Sequence, residues 1–202
     1  MRHGSGYGFP TKVEGDELTA LQRHAGYFDA DRDGLVTLPE TYGSLRRLGV
    51  GRFTSGILAG IINLFLGPIT RGRATLTISV THIASGVHPF DTGVFDKHGE
   101  LDRAHFDTLF RDGADRLTRA ELRGVIVERG RRAKAGWKGW LANQFSGAEA
   151  RLLFCLASDT TKTVGGRAQP AISKLRLLHF YQGRLLPALA RRRRLLRRRH
   201  SG

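Results

Sequence analysis

The sequence predicts a mainly α-helical fold made of helix–loop–helix units, interrupted by an apolar segment and carrying short strands. Three observations predict it: an acidic loop at Asp29–Glu40 with helix-compatible flanks, a stretch at Phe110–Glu121 that repeats the end of that loop, and an uncharged run at Phe53–Thr70 between the two. They divide the chain into a disordered leader at 1–17, a first loop unit at 18–48, an apolar segment at 49–73, a C-terminal part with a degenerate loop at 74–188, and a basic tail at 189–202.

The first unit fits the EF-hand pattern. Asp29, Asp31 and Asp33 occupy loop positions 1, 3 and 5, Gly34 stands at 6 and Glu40 at 12. A calcium ion needs six to eight oxygens, and these come from the three Asp side chains, the Leu35 carbonyl, Thr37 directly or through water, and a bidentate Glu40. Leu18–Phe28 can form the entering helix and Glu40–Leu48 the exiting one. EF-hand-like units come in pairs, because the strand at position 8 needs a partner for its backbone groups. The second unit is sought at Phe110–Glu121, where Leu117-Thr118-Arg119-Ala120-Glu121 parallels Val36-Thr37-Leu38-Pro39-Glu40, but Phe110, Ala114 and Asp115 stand at positions 1, 5 and 6. The expectation is therefore pairing through Val36 and Leu117, with calcium in the first loop alone. A further helix–loop–helix remnant is suggested by Gly147–Ala157 and Ala171–Leu185, set around Ser158–Pro170.

Phe53–Thr70 has no charge and is bracketed by Arg46, Arg47 and Arg52 before it and by Arg71 and Arg73 after it. As a helix it would reach ~27 Å, near the hydrocarbon thickness of a bilayer. Gly56, Gly60, Asn63 and Gly67-Pro68 favour a re-entrant or interfacial anchor over a full span, and a buried core helix is the alternative reading.

The chain has 33 basic and 18 acidic residues, for a formal charge of +15, and remains basic without Arg191–Arg194 and Arg197–Arg199. Such a surface attracts anions. No nucleic-acid motif accompanies it, so the expected partner is an anionic membrane, with the arginine tail disordered or lying on lipid. The lone cysteine, Cys155, excludes an intrachain disulfide framework, and its setting in Leu152-Leu153-Phe154-Cys155-Leu156 predicts burial. Met1–Gly15 lacks the apolar core of a secretory signal. The expected location is an intracellular membrane surface, without secretion.

The order of these features resembles the caleosin family of calcium-binding, lipid-droplet-associated haem peroxygenases. The matching stretches are Leu21-Gln22-Arg23-His24-Ala25-Gly26-Tyr27-Phe28-Asp29 into the loop, Glu40-Thr41 out of it, His88-Pro89-Phe90-Asp91-Thr92-Gly93-Val94-Phe95-Asp96-Lys97 after the apolar run, and Gly139-Trp140-Leu141. The resemblance implies a b-type haem associated with His24 and His88, one as proximal ligand and the other as a second ligand or acid–base group. His82 competes with His88, although the register through Asp91-Thr92-Gly93 favours His88. The implied reaction passes oxygen from a fatty acid hydroperoxide to an unsaturated fatty acid. It also implies that calcium fixes the helix carrying His24, five residues before Asp29. The proline-rich knot typical of the family's apolar segment is reduced here to Pro68.

Overall fold

A computed structural model describes residues 18–86, 92–110, 113–132 and 151–200. Helix α1 (Ala20–Ala25) starts on a reciprocal cap, in which the Thr19 hydroxyl accepts the Gln22 amide and the Gln22 side chain accepts the Thr19 amide. After the acidic loop and strand β1 (Leu35–Val36), Thr37 and Glu40 repeat that device at the start of α2 (Leu38–Arg47). Helix α3 (Arg52–Arg71) carries the apolar run and ends at Gly72, which takes a left-handed conformation with φ 64°. The chain then returns as β2 (Ile78–Ser79) and a short 3-10 turn, Ile83–Gly86.

The second half repeats this grammar. Asp102 caps α4 (Arg103–Thr108), and β3 (Arg116–Thr118) leads into α5 (Arg119–Arg132). Residues 151–157 form α6, followed by the hairpin β4 (Thr160–Val164) and β5 (Arg167–Ser173), then α7 (Lys174–Tyr181) and α8 (Leu185–His200).

Strand pairing differs from the expectation. Val36 pairs with Ile78, and Leu117 pairs with Ile172, so each loop finds its partner within its own half. Joining Val36 to Ile78 closes a shorter stretch of chain than joining it to Leu117, and so costs less entropy. The partner of the first loop is thus the strand that follows the apolar helix, and α3 is an integral member of the first pair. Of the helix–loop–helix remnant expected around Ser158–Pro170, the two helices stand as α6 and α7, but the hairpin β4–β5 takes the place of the loop. The second helix begins at Lys174 instead of Ala171, because Ala171 and Ile172 belong to the ladder with β3.

One apolar cluster fills the second half around Phe106, Leu122, Ile172 and Leu177. Two others fill the first half: Val36, Ile78, Val80 and Ile83 under the loop, and Leu45, Leu48, Val50 and Ala59 with Leu186 of α8. Cys155 is exposed, contrary to the burial expected of it. On the 3.6-residue period of α6, Leu153, Phe154 and Ala157 share the buried face and Cys155 falls on the other.

Helix α3 is long and apolar enough to cross a membrane. Its buried positions are Ser55, Ala59, Asn63, Gly67 and Thr70, a stripe of small and polar residues. Asn63 Nδ2 donates to the carbonyls of Val36 (3.2 Å) and Leu76 (2.6 Å), and the Thr70 hydroxyl accepts the Ser79 amide at 3.0 Å. A Cβ at Gly67 would overlap the Thr75 carbonyl, so the returning chain needs glycine there. Of the large apolar residues, Leu58, Ile62 and Leu66 pack against the core from the margins of that stripe, while Phe53 is 83%, Ile57 49% and Leu64 61% exposed. This inverts the usual amphipathic helix of a soluble protein.

The arginine tail, expected to be disordered or lipid-bound, continues α8. No glycine or proline follows Pro187 before Gly202, and arginine and leucine are good helix formers.

Candidate functional site

The Asp29–Glu40 loop folds around its own amides. Arg32 and Gly34 adopt left-handed φ values of 67° and 84°, and glycine carries the second at little cost. These turns let Asp29 accept from Arg32 N (2.8 Å) and Gly34 N (3.0 Å), Asp31 from Asp33 N (3.3 Å), and Asp33 from Leu35 N (2.7 Å). Glu40 reaches back across the loop: Oε1 accepts from Ala30 N, while Oε2 accepts from the amide and hydroxyl of Thr37.

Carboxylate oxygens of Asp29, Asp31 and Glu40 lie within 4.8 Å of one another, a set able to hold a metal ion. Burial raises the Asp29 carboxyl above its usual range, the Gly34 and Arg32 amides work against that, and the nearby Asp33 and Glu40 charges add to it. Burial also acts to raise Glu40, but its hydrogen bonds from Thr37 and Ala30 prevail and hold it low. A divalent cation would relieve this crowding of negative charge, and the all-oxygen donor set suits a hard ion such as calcium. Of the other expected ligands, Asp33 is exposed and engaged by the Leu35 amide, Leu35 lies in β1, and the Thr37 hydroxyl donates to Glu40.

The degenerate loop copies the last step. Glu121 Oε2 accepts from the amide (2.8 Å) and hydroxyl (2.9 Å) of Thr118, as Glu40 does from Thr37. Its Oε1 takes the Lys162 ammonium from β4 at 2.6 Å, so a side-chain cation meets the carboxylate where the first loop offers its own to an ion.

His24 stands in the last turn of α1, immediately upstream of the loop. Its Nδ1 lies 3.2 Å from the Phe180 carbonyl of α7, and its ring meets the Phe180 ring edge-on at 4.7 Å. A carbonyl only accepts, so Nδ1 carries the proton and the lone pair resides on Nε2. Burial lowers the His24 pKa, partly offset by the bond to Phe180, which keeps the imidazole neutral. A neutral imidazole with its Nδ1–H fixed by a carbonyl is the form in which histidine binds iron or another metal through Nε2, so the residue fits a haem ligand.

Two contacts seat α1. The Leu21 amide donates to Gly99 O at 2.9 Å, and the turn after α7 presses Gly183 against it, where a Cβ would come within 2.7 Å of His24 N. His88 and Asp91 lie outside the described residues, as do Trp137 and Gly139-Trp140-Leu141. The described end of the His88 stretch is nonetheless informative. Thr92 is buried, and its hydroxyl bonds Tyr181 OH at 2.7 Å, next to Phe180. His24 and Thr92 therefore converge on the Phe180-Tyr181 dipeptide. His82 is exposed, with Nδ1 3.0 Å from the Ser79 hydroxyl.

Sequence reasoning missed Phe180, Tyr181 and Gly183. The first two read as part of an ordinary amphipathic helix, and the one local hint was a glycine closing that helix.

The family described as Caleosin related protein matches residues 16–168 of this chain. The chain is 32% identical over 152 residues to the Arabidopsis thaliana protein named probable peroxygenase 4, covering 71% of this chain and 75% of that one. It is 32% identical over 161 residues to a Lilium longiflorum peroxygenase, covering 74% of this chain and 65% of that protein. No solved structure matches the chain at a significant level.

Proposed function

The chain belongs to the caleosin family, and from that premise we propose that it is a calcium-dependent haem peroxygenase working at a membrane or lipid-droplet surface. Peroxygenase activity, an oxidoreductase reaction, is supported at the family level by the two relatives of that name. The substrates we assign are a fatty acid hydroperoxide as oxygen donor and an unsaturated fatty acid as acceptor.

One observation carries the reading: His24 is held as a neutral imidazole, its Nδ1–H on the Phe180 carbonyl, at the end of a helix that runs directly into the carboxylate loop. Haem, when bound, supplies the oxygen transfer, in which the hydroperoxide leaves as its alcohol and the acceptor gains one oxygen. The chain supplies the rest. His24 Nε2 would hold the haem iron, with the Phe180 carbonyl sharpening its basicity and fixing its ring. His88 would be the acid–base group, able to hold the hydroperoxide proton on an imidazole nitrogen.

The Asp29–Glu40 segment we read as an EF-hand calcium site with ligands from Asp29, Asp31, Asp33, Leu35, Thr37 and Glu40. Calcium there stiffens the turn between His24 and Asp29 and so holds the ligand helix. The outward face of α3 we read as an interfacial anchor, because its inward stripe is bonded to the protein along its length.

Incubating the purified, haem-loaded protein with a fatty acid hydroperoxide and oleic acid tests the assignment. Epoxide and alcohol should form in equal amounts, and the His24→Ala and Asp29→Ala/Glu40→Ala proteins should lose most of both. A haem-loaded wild-type protein that forms no epoxide would rule out the peroxygenase reading and leave a calcium-binding lipid-surface protein.

A further inference from the structure

We propose that α8 is an anionic-phospholipid docking helix that acts together with the N-terminal end of α3, an inference that rests on the membrane reading above and adds its lipid selectivity. Arg191–Arg194 and Arg197–Arg199 are all exposed, and no acidic residue occurs within α8. Their charge is held on a rigid element, because Leu186, Leu189 and Ala190 at the base of α8 pack in one cluster with Leu45, Leu48, Val50 and Ala59. Ala59 belongs to α3, so the two helices share a core.

The contact nearest the α3 entrance is Arg193. Its guanidinium lies against Gly49, where any Cβ would overlap it, and this is the turn that leads into Arg52 and the 83% exposed Phe53. The cationic helix and the apolar face therefore meet at one edge of the molecule. Leu195 and Leu196, 53% and 45% exposed, sit between the two arginine groups.

This mixture decides the class of partner. Nucleic acid would satisfy the arginines through phosphates but offers no apolar phase for Phe53, Ile57, Leu64, Leu195 and Leu196. A bilayer surface offers both, with headgroup phosphates above the acyl boundary. Each arginine near an anionic membrane contributes about a fivefold gain in binding.

Flotation of the full-length protein with vesicles tests the proposal, using phosphatidylcholine alone and phosphatidylcholine containing phosphatidylserine. The wild type should prefer the anionic vesicles, and this preference should weaken as salt rises. Replacing Arg191, Arg192, Arg198 and Arg199 by Gln should reduce binding to anionic vesicles by roughly six-hundredfold at low salt. Binding to neutral vesicles should stay unchanged, and the matching Arg→Lys protein should keep the preference. Gln is a helix former, and unchanged circular dichroism verifies the fold. Retention of the preference by the Gln protein overturns the proposal, as does equal wild-type binding to both vesicles or tighter binding to duplex DNA than to anionic vesicles. Failure of the wild type to float with either vesicle instead overturns the membrane reading of α3 beneath it.

Discussion

Asn63 Nδ2 donates to the main-chain carbonyl of Val36 at 3.2 Å, tying the middle of the apolar helix to the strand inside the carboxylate loop. The same amide group reaches the Leu76 carbonyl at 2.6 Å, so one side chain links β1, the chain entering β2, and α3. Asn63 is fully buried, and its Oδ1 has no partner among the described residues. A polar residue at the centre of an apolar run is explained by these two carbonyls.

Asn63→Leu should therefore destabilise the protein although it raises the apolarity of α3. Leaving the buried Val36 carbonyl without this donor costs about 1–3 kcal/mol, and the part-buried Leu76 carbonyl adds less. Urea unfolding should show that loss, and calorimetric calcium titration should show weaker binding because Val36 lies within the loop.

Glu40→Gln separates two roles of one side chain. Glutamine can still accept from the Thr37 amide and cap α2, so stability without calcium should fall by less than about 1 kcal/mol. Calcium affinity should drop by about tenfold or more, since the site loses charge and a bidentate ligand. Titration calorimetry and thermal melts in chelator give the two values.

Gly183→Ala tests the seating of α1. Gly183 has φ 73°, and a Cβ there would come within 2.7 Å of both His24 N and the Arg23 carbonyl carbon. The strain should cost more than about 1 kcal/mol, and the displaced helix should bind haem less tightly. A melt combined with haem titration reads both effects.

His24 should make stability depend on pH. Its folded pKa lies below the ordinary value of 6.5, so the unfolded chain takes up the proton first on acidification. The contribution is complete above about 6.5 and is lost as pH falls through the folded pKa. The wild type should therefore lose more stability between neutral and mildly acidic pH than His24→Gln, as measured by urea midpoints across that range.

The carboxylate loop was legible in the sequence because its acidic residues and its glycine all lie within twelve residues and the pattern demands a particular residue type at each of those positions. The flanking helices, expected over Leu18–Phe28 and Glu40–Leu48, are present as α1 and α2, with starts set instead by the caps at Thr19 and Thr37. The partner of β1 was not legible. The alternation of apolar and polar residues over Ala74–Ile83 marks an extended segment, and β2 lies within it, but alternation does not name a partner, while the Leu117 stretch looked like the loop's twin. The face that α3 buries was also hidden, because Ser55, Asn63 and Thr70 turn inward to satisfy backbone groups that only the fold brings there. His24 showed no sign of its Phe180 carbonyl, which lies 156 residues away. The burial expected of Cys155 failed because an apolar run ignores which face of a helix each residue takes.

The central claim is that His24 holds the haem, and haem titration of the purified apoprotein followed by absorbance tests it most directly. The account predicts a Soret band that saturates at one haem per chain in the wild type and is lost in a folded His24→Ala protein. A Soret band of the same position and affinity in His24→Ala would contradict it.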